Sequence, residues 1–197
     1  MPDKGIYFLA VEGFADWEAA HALAELRREG GYRVEVVGLG LEPVVSMGGL
    51  RVVPSHTVAD IDPMDVAAFM IPGGDRWETA PAEAELESML RRLDELQVPI
   101  AAICGATVAI CRIGLLRDRR HTSNGLSYLQ SHVPGYTGTL QYVDAPAVRD
   151  RGLITASGLA NVEFAHALFE QLEVLSEDDR ALWADMCRHG RLPDERA

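Results

Sequence analysis

The stretch Val98-Pro99-Ile100-Ala101-Ala102-Ile103-Cys104-Gly105-Ala106-Thr107-Val108-Ala109-Ile110 constrains the fold of this chain more than any other. An apolar run ends in a cysteine, small residues follow, and a helical apolar pattern begins at once. The local prediction is a buried strand, a tight turn and a helix start, with one thiol at the corner. Small residues around Cys104 let the backbone turn sharply and leave room for a substrate. A thiol placed there faces the positive end of a helix dipole, which favours the thiolate. These are the mechanics of a nucleophile elbow, with Cys where hydrolases often carry Ser. An inert buried cysteine is the competing reading of the same residues.

The flanking segments predict the setting of that elbow. Ile6–Val11 is a continuous apolar run between Gly5 and Gly13, as expected of a strand covered on both faces in a parallel sheet. Asp16 reads as the N-cap of a helix to about Arg28, with Trp17, Ala20, Leu23, Ala24 and Arg27 on one face and Gly30-Gly31 as the stop. Arg33–Leu39 is the next strand, so the chain opens β-α-β with a right-handed crossover. A hairpin around Met47-Gly48-Gly49 follows, then the strand Val66–Ile71, which ends in Pro72-Gly73-Gly74-Asp75. Such a glycine pair can present free N–H groups to an anion. Ala82, Leu86, Met89, Leu93 and Leu96 form one helical stripe. After the elbow helix, closed by Gly114, His121–Gly125 reads as a strand end and turn. Tyr128–Pro146 reads as loop with a short strand near Thr139–Val143. Leu153–Ala156 is a strand, Val162–Leu172 a helix, and Ser176 with Asp179 the capping box of a last helix carrying Leu182, Trp183 and Met186. The tail from Gly190 is expected to fray.

The pattern therefore predicts an α/β fold: one domain over residues 1–197, a three-layer αβα sandwich with a mostly parallel, flavodoxin-like sheet. A net charge of −12 with no basic cluster argues against nucleic-acid binding. Three widely spaced cysteines suit neither a disulfide framework nor a zinc site. No apolar run is long enough for a membrane span, and Met1–Gly5 leads straight into a strand, so the expectation is a cytoplasmic chain without signal peptide, membrane partner, metal or cofactor.

Four segments carry a resemblance: Gly13-Phe14-Ala15-Asp16-Trp17-Glu18, Ile71-Pro72-Gly73-Gly74, Ala101-Ala102-Ile103-Cys104-Gly105-Ala106 and Ile154-Thr155-Ala156-Ser157-Gly158. In this order, over roughly Ile6 to Leu172, the chain resembles the ThiJ/PfpI family, the superfamily of the Parkinson-disease protein deglycase, related to class I glutamine amidotransferases. The resemblance implies that Cys104 is the elbow nucleophile and that Glu18 is the acid touching its sulfur. A carboxylate beside a thiolate is unfavourable, so Glu18 is expected to stay protonated and donate to the sulfur, the two titrating as a pair. Gly74 and Gly105 would supply the oxyanion N–H groups. Asp75, Trp77, Asn124 and His121 are candidate pocket residues, whereas Trp17 is expected in the core.

The chain also departs from the family pattern. Gly105 and Asn124 stand at the two places where family members carry a histidine. Asn124 can orient a substrate or water but cannot act as a base. A Cys–His pair would need His121 to reach the thiol; His21, His56, His132, His166 and His189 have no motif support. Peptidase or glutaminase chemistry is therefore not expected. The leading reading is a small-molecule enzyme in which Cys104 attacks an electrophilic carbon, as a hydrolase, hydratase or glyoxalase/deglycase. Isocyanide hydratases of the family work without a catalytic His. The alternative is an oxidative-stress sensor or chaperone without turnover, its oxidant reacting at Cys104; a third is a ligand-binding domain. A homodimer is expected from the resemblance.

Overall fold

A computed structural model describes residues 3–192. Its element order is β1 (Gly5–Leu9), α1 (Asp16–Arg28), β2 (Arg33–Gly38), β3 (Val44–Val45), β4 (Arg51–Val52), β5 (His56–Thr57), β6 (Val66–Ile71), α2 (Arg76–Thr79), α3 (Ala84–Glu95), β7 (Ile100–Ile103), α4 (Ala106–Arg112), α5 (Leu126–His132), β8 (Ala147–Asp150), β9 (Leu153–Ala156), α6 (Asn161–Gln171) and α7 (Glu177–His189). Seven strands form one sheet in the order β5-β2-β1-β6-β7-β9-β8, and β3-β4 pair separately. All neighbours in the large sheet run parallel except β8 and β9. Every residue of β1, β7 and β9 is buried, which is why β1 and β7 are unbroken apolar runs rather than alternating ones, while β9 carries one polar residue, Thr155, whose Oγ1 accepts from the Thr122 N–H at 2.9 Å. Helices α1 and α6 pack together, with α7 against α6, while α2 and α5 pack on α4 and α3 packs on β7.

The topology places the chemistry. From β1 the chain moves outward to β2 and β5, then returns to β6 on the other side of β1 and continues to β7. The order reverses between β1 and β6, and the crevice at the carboxyl ends of strands flanking such a point is where open α/β sheets bind ligands. Glu18, Gly73 and Cys104 follow β1, β6 and β7, three adjacent strands.

Several local expectations are corrected. The buried face of α1 is Glu18, Ala19, Ala22 and Leu26, not the predicted stripe, and Trp17 stands 47% exposed. Alanines on both sides of this helix gave little polarity contrast, and an acid in the buried stripe inverted the reading. Asp16 is the first helical residue and caps nothing; Ala15 occupies the N-cap, and Asp16 Oδ2 accepts from Ser46 Oγ at 2.8 Å, holding the β3-β4 hairpin. Tyr128–His132 is helix rather than loop. The expected strand at Thr139–Val143 is reduced to a single bridge between Tyr142 and His121. Half of the expected capping box forms at α7: Ser176 Oγ accepts from the Asp179 N–H at 3.1 Å, while the Asp179 carboxylate accepts from the Ser176 hydroxyl at 2.6 Å instead of from its backbone N–H. Of the tail predicted to fray, Gly190–Leu192 follow the helix, and residues 193–197 lie outside the described residues. Among the described residues no helix is long and apolar enough to cross a membrane.

Candidate active site

Cys104 sits between β7 and α4 with φ +58°, a left-handed conformation that a non-glycine residue adopts only under constraint from its surroundings. Its backbone is clamped on both sides. The N–H donates to Ala156 O at 2.9 Å, and the carbonyl accepts from Thr107 N at 3.0 Å and Thr107 Oγ1 at 2.6 Å. Thr107 Oγ1 is also 2.7 Å from Ser123 Oγ, which ties the elbow to the segment leading to Asn124.

Glu18 is fully buried. The Gly73 N–H donates to its Oε2 at 2.6 Å. Its Oε1 has no hydrogen-bond partner among the described residues, and the Cys104 thiol acts on the Glu18 carboxyl. Two glycines close around the pair. A Cβ on Gly73 would lie 2.6 Å from Cys104 Cβ and 2.8 Å from Glu18 Oε2; one on Gly158 would lie 2.8 Å from Cys104 Sγ and 3.0 Å from Glu18 Oε1. Gly158→Ala is accordingly expected to displace the thiol, costing roughly 1–3 kcal/mol of stability through overpacking. Alkylation of Cys104 should fall with it, as read by peptide mapping; a variant that labels and melts like the wild type would contradict this geometry.

Burial pushes the Glu18 carboxyl up, against the Gly73 N–H and the Cys104 contact, which pull it down. The Cys104 thiol is pushed up to about 11, first by burial and then by the charge of Glu18. The helix-dipole expectation of a lowered thiol is thus corrected: desolvation and a facing carboxylate outweigh the start of a seven-residue helix. The second of these two causes is present only while Glu18 is ionised, so the two groups compete for one proton. With the proton on Glu18, the sulfur faces a donor instead of a charge, together with the Asn124 Nδ2 donor at 3.2 Å and the Gly105 N–H. Asn124 is held in turn by the Gly158 N–H, which donates to its Oδ1 at 2.9 Å.

The fold brings together Glu18, Cys104, Asn124 and the backbones of Gly73, Gly74, Gly105 and Gly158. The Gly74 and Gly105 N–H groups donate to no backbone carbonyl among the described residues. The other three candidates lie elsewhere. His121 is buried with both ring nitrogens engaged, Nδ1 at 2.7 Å from Arg119 O and Nε2 at 2.6 Å from Tyr136 Oη, and burial lowers its pKa. It therefore makes no Cys–His pair. Trp77 is fully buried, its indole N–H donating to Pro72 O at 2.9 Å, so it braces the glycine turn from below rather than lining a pocket. Asp75 is exposed and precedes α2 without capping it by its side chain. Beside Asn124 opens a cleft of about 450 Å³ lined by Ser123, Asn124, Tyr142, Asp144, Ser157 and Leu159, among others.

Sequence reasoning missed Gly158 as a steric wall and missed a polar cluster at α5. The Tyr128 hydroxyl donates to Glu78 Oε1 at 2.7 Å, and His132 Nε2 lies 3.5 Å from Glu78 Oε2. Tyr128 and His132 stand four apart, one helical turn, but a helix with Leu129 as its one buried residue leaves no periodicity to read.

Fold and site together define a mostly parallel α/β protein with a cysteine at a tight strand-to-helix turn beside a buried acid. The chain belongs to the DJ-1/PfpI family, whose sequence model matches residues 4–171. It is 32% identical over 194 residues to the uncharacterized protease YoaZ of Bacillus subtilis (strain 168), covering 93% of this chain and 90% of that one. A more distant relative, the deglycase PH1704 of Pyrococcus horikoshii, is 24% identical over 151 residues, covering 77% of this chain and 88% of that one. The crystal structure of the DJ-1 superfamily protein Atu0886 from Agrobacterium tumefaciens superposes with a TM-score of 0.86 at 34% identity, over 95% of this chain and all of that one.

Proposed function

We propose that the protein is an enzyme that acts on a small electrophilic carbonyl compound, with Cys104 as nucleophile and Glu18 as its proton partner. One observation carries this reading: a fully buried glutamate, its Oε1 without a hydrogen-bond partner among the described residues, shares the space over Gly73 and Gly158 with a cysteine held at positive φ. In the reaction, Glu18 takes the thiol proton, the sulfur attacks the carbonyl carbon, and a C–S bond forms as the C=O π pair moves to oxygen. The Gly74 and Gly105 N–H groups stabilise that oxygen, and the Glu18 proton passes to it, giving a hemithioacetal. Naming of some relatives as deglycases agrees with carbonyl chemistry.

The test is a panel of methylglyoxal, an isocyanide and glutamine. Methylglyoxal consumption that is lost in Cys104→Ala and in Glu18→Ala supports the reading; consumption equal to wild type in both variants overturns it. The reading includes a homodimer at the level of the resemblance, and sedimentation at the mass of one chain would overturn that part.

A second reading rests on the same Oε1: a carboxyl facing sulfur can also donate to an oxidised sulfur, so Cys104 would react with peroxide, the thiolate becoming sulfenate as water leaves. Mild peroxide should then add oxygen to the wild type and not to Cys104→Ser by intact mass. No addition to the wild type removes this alternative.

A further inference from the structure

We propose that Ser123 and Thr107 are positioning residues: their hydroxyl pair holds Asn124 against the Cys104 sulfur and so sets the reactivity of the thiol. This deepens the reading of Cys104 as the reactive thiol and rests on it.

The contacts form a closed ring that begins and ends on one residue. The Cys104 carbonyl accepts from Thr107 Oγ1 at 2.6 Å. Thr107 Oγ1 lies 2.7 Å from Ser123 Oγ. Asn124 is the next residue in the chain, and its Nδ2 donates to Cys104 Sγ at 3.2 Å. The direction of the hydroxyl hydrogens follows from their number. A carbonyl has none to give, so the single Thr107 hydroxyl hydrogen points to Cys104 O. In the second contact Ser123 is therefore the donor. Thr107 is fully buried and Ser123 nearly so, so water does not compete for either hydroxyl, and removing one strands its neighbour.

The ring acts on both ends of the asparagine–sulfur contact. At one end, the Thr107 hydroxyl joins the Thr107 N–H, at 3.0 Å, on the carbonyl of a residue whose φ of +58° needs support. At the other end, Ser123 fixes the backbone from which Asn124 reaches. The rest of this strap is anchored separately. The Thr122 N–H donates to Thr155 Oγ1 at 2.9 Å, and the Thr122 hydroxyl donates to Ala145 O at 2.8 Å. Arg119 O and Tyr136 Oη engage the His121 ring, and the Gly158 N–H holds Asn124 Oδ1. Each side chain from His121 to Asn124 is thus hydrogen-bonded, and Ser123 is the member that bonds to α4, the helix opened by the cysteine turn.

The test follows Cys104 alkylation by iodoacetamide against pH, with peptide mapping and a thermal melt on each sample. Cys111, on the same helix, is read in the same digests as a control for general loosening. The proteins are the wild type, Ser123→Ala, Thr107→Val, Thr107→Ser, Asn124→Ala and the Ser123→Ala/Asn124→Ala double variant. Ser123→Ala and Thr107→Val should each slow Cys104 labelling about three- to tenfold at neutral pH, the effect of one hydrogen bond to sulfur. They should also move its pH profile upward, since the thiolate loses a donor, and leave Cys111 unchanged. Thr107→Ser keeps the hydroxyl and should label as the wild type does. In the Asn124→Ala background Ser123→Ala should add nothing. Ser123→Ala, the smaller change, carries the test should Thr107→Val not fold. Wild-type labelling of Cys104 in Ser123→Ala, an equal loss with and without Asn124, or the same change at Cys111 overturns the proposal. Glu18→Ala separates the two levels. Labelling that depends on Glu18 but not on Ser123 overturns this inference alone; a wild-type Cys104 no faster than Cys111 overturns both.

Discussion

Glu18→Gln is expected to melt higher than the wild type at neutral pH and to lose turnover by about two to four orders of magnitude, the scale of a lost proton-transfer group. Burial raises the Glu18 carboxyl above its ordinary value. The folded state therefore holds this proton more tightly than the unfolded chain. The stabilisation is fully present below the unfolded pKa and is lost as pH rises through the folded pKa. Glutamine carries no charge to desolvate, so the variant should gain about 1–2 kcal/mol at neutral pH, typical of relieving a functional site, and should converge on the wild type in acid. Alkylation should fall in this variant, because an amide cannot take the thiol proton even though its oxygen can still accept from the Gly73 N–H. Glu18→Ala should lose both turnover and labelling, and leaves the Gly73 N–H unpaired at a cost of about 1–3 kcal/mol. Thermal unfolding against pH checks the sign; a Glu18→Gln variant less stable than wild type at neutral pH would contradict a raised carboxyl.

Trp77→Ala is expected to be the most destabilising single change around the site, by about 3–5 kcal/mol, since it empties a fully buried indole. Trp77→Phe keeps most of the volume but strands the Pro72 carbonyl, costing about 1–3 kcal/mol. Because Pro72 leads directly into Gly73, which donates to Glu18, the Phe variant should also slow Cys104 labelling. Denaturant melts with alkylation on the same samples measure both. Unchanged labelling in a destabilised Trp77→Phe would separate this residue from the site.

What could be read from the chain follows from how each element is buried. The central strands are covered on both faces, so Ile6–Val11, Val66–Ile71 and Val98–Ile103 stand out as apolar runs, and the elbow at Cys104 is legible from its neighbours. β8 escaped notice because it is a four-residue edge strand with one buried side chain. The burial of Glu18 is invisible to periodicity, since an acid in a first helical turn reads as a surface charge; the family resemblance pointed to it. Trp17 and Trp77 came out in each other's places, Trp77 in the core and Trp17 at the surface, because hydrophobicity alone does not say which face of a helix meets the sheet. His121 illustrates the same limit: its type suits a base, but Arg119 O and Tyr136 Oη engage both ring nitrogens.

The central claim is that Cys104 is a reactive thiol because Glu18 can hold its proton. Cys111 is the internal control: it too is half-buried with a thiol pushed up to about 11, but its neighbouring charge is Arg112 and no buried acid faces it. The decisive measurement is the iodoacetamide alkylation rate of Cys104, Cys111 and Cys187 in one neutral-pH reaction, mapped by peptide mass, for wild type and Glu18→Ala. Cys104 should label at least about tenfold faster than the other two, through the form in which Glu18 holds the thiol proton and the Asn124 and Gly105 N–H groups face the sulfur, an advantage that should vanish in Glu18→Ala. Equal rates for all three cysteines in the wild type, or a Cys104 rate unchanged without Glu18, would contradict it.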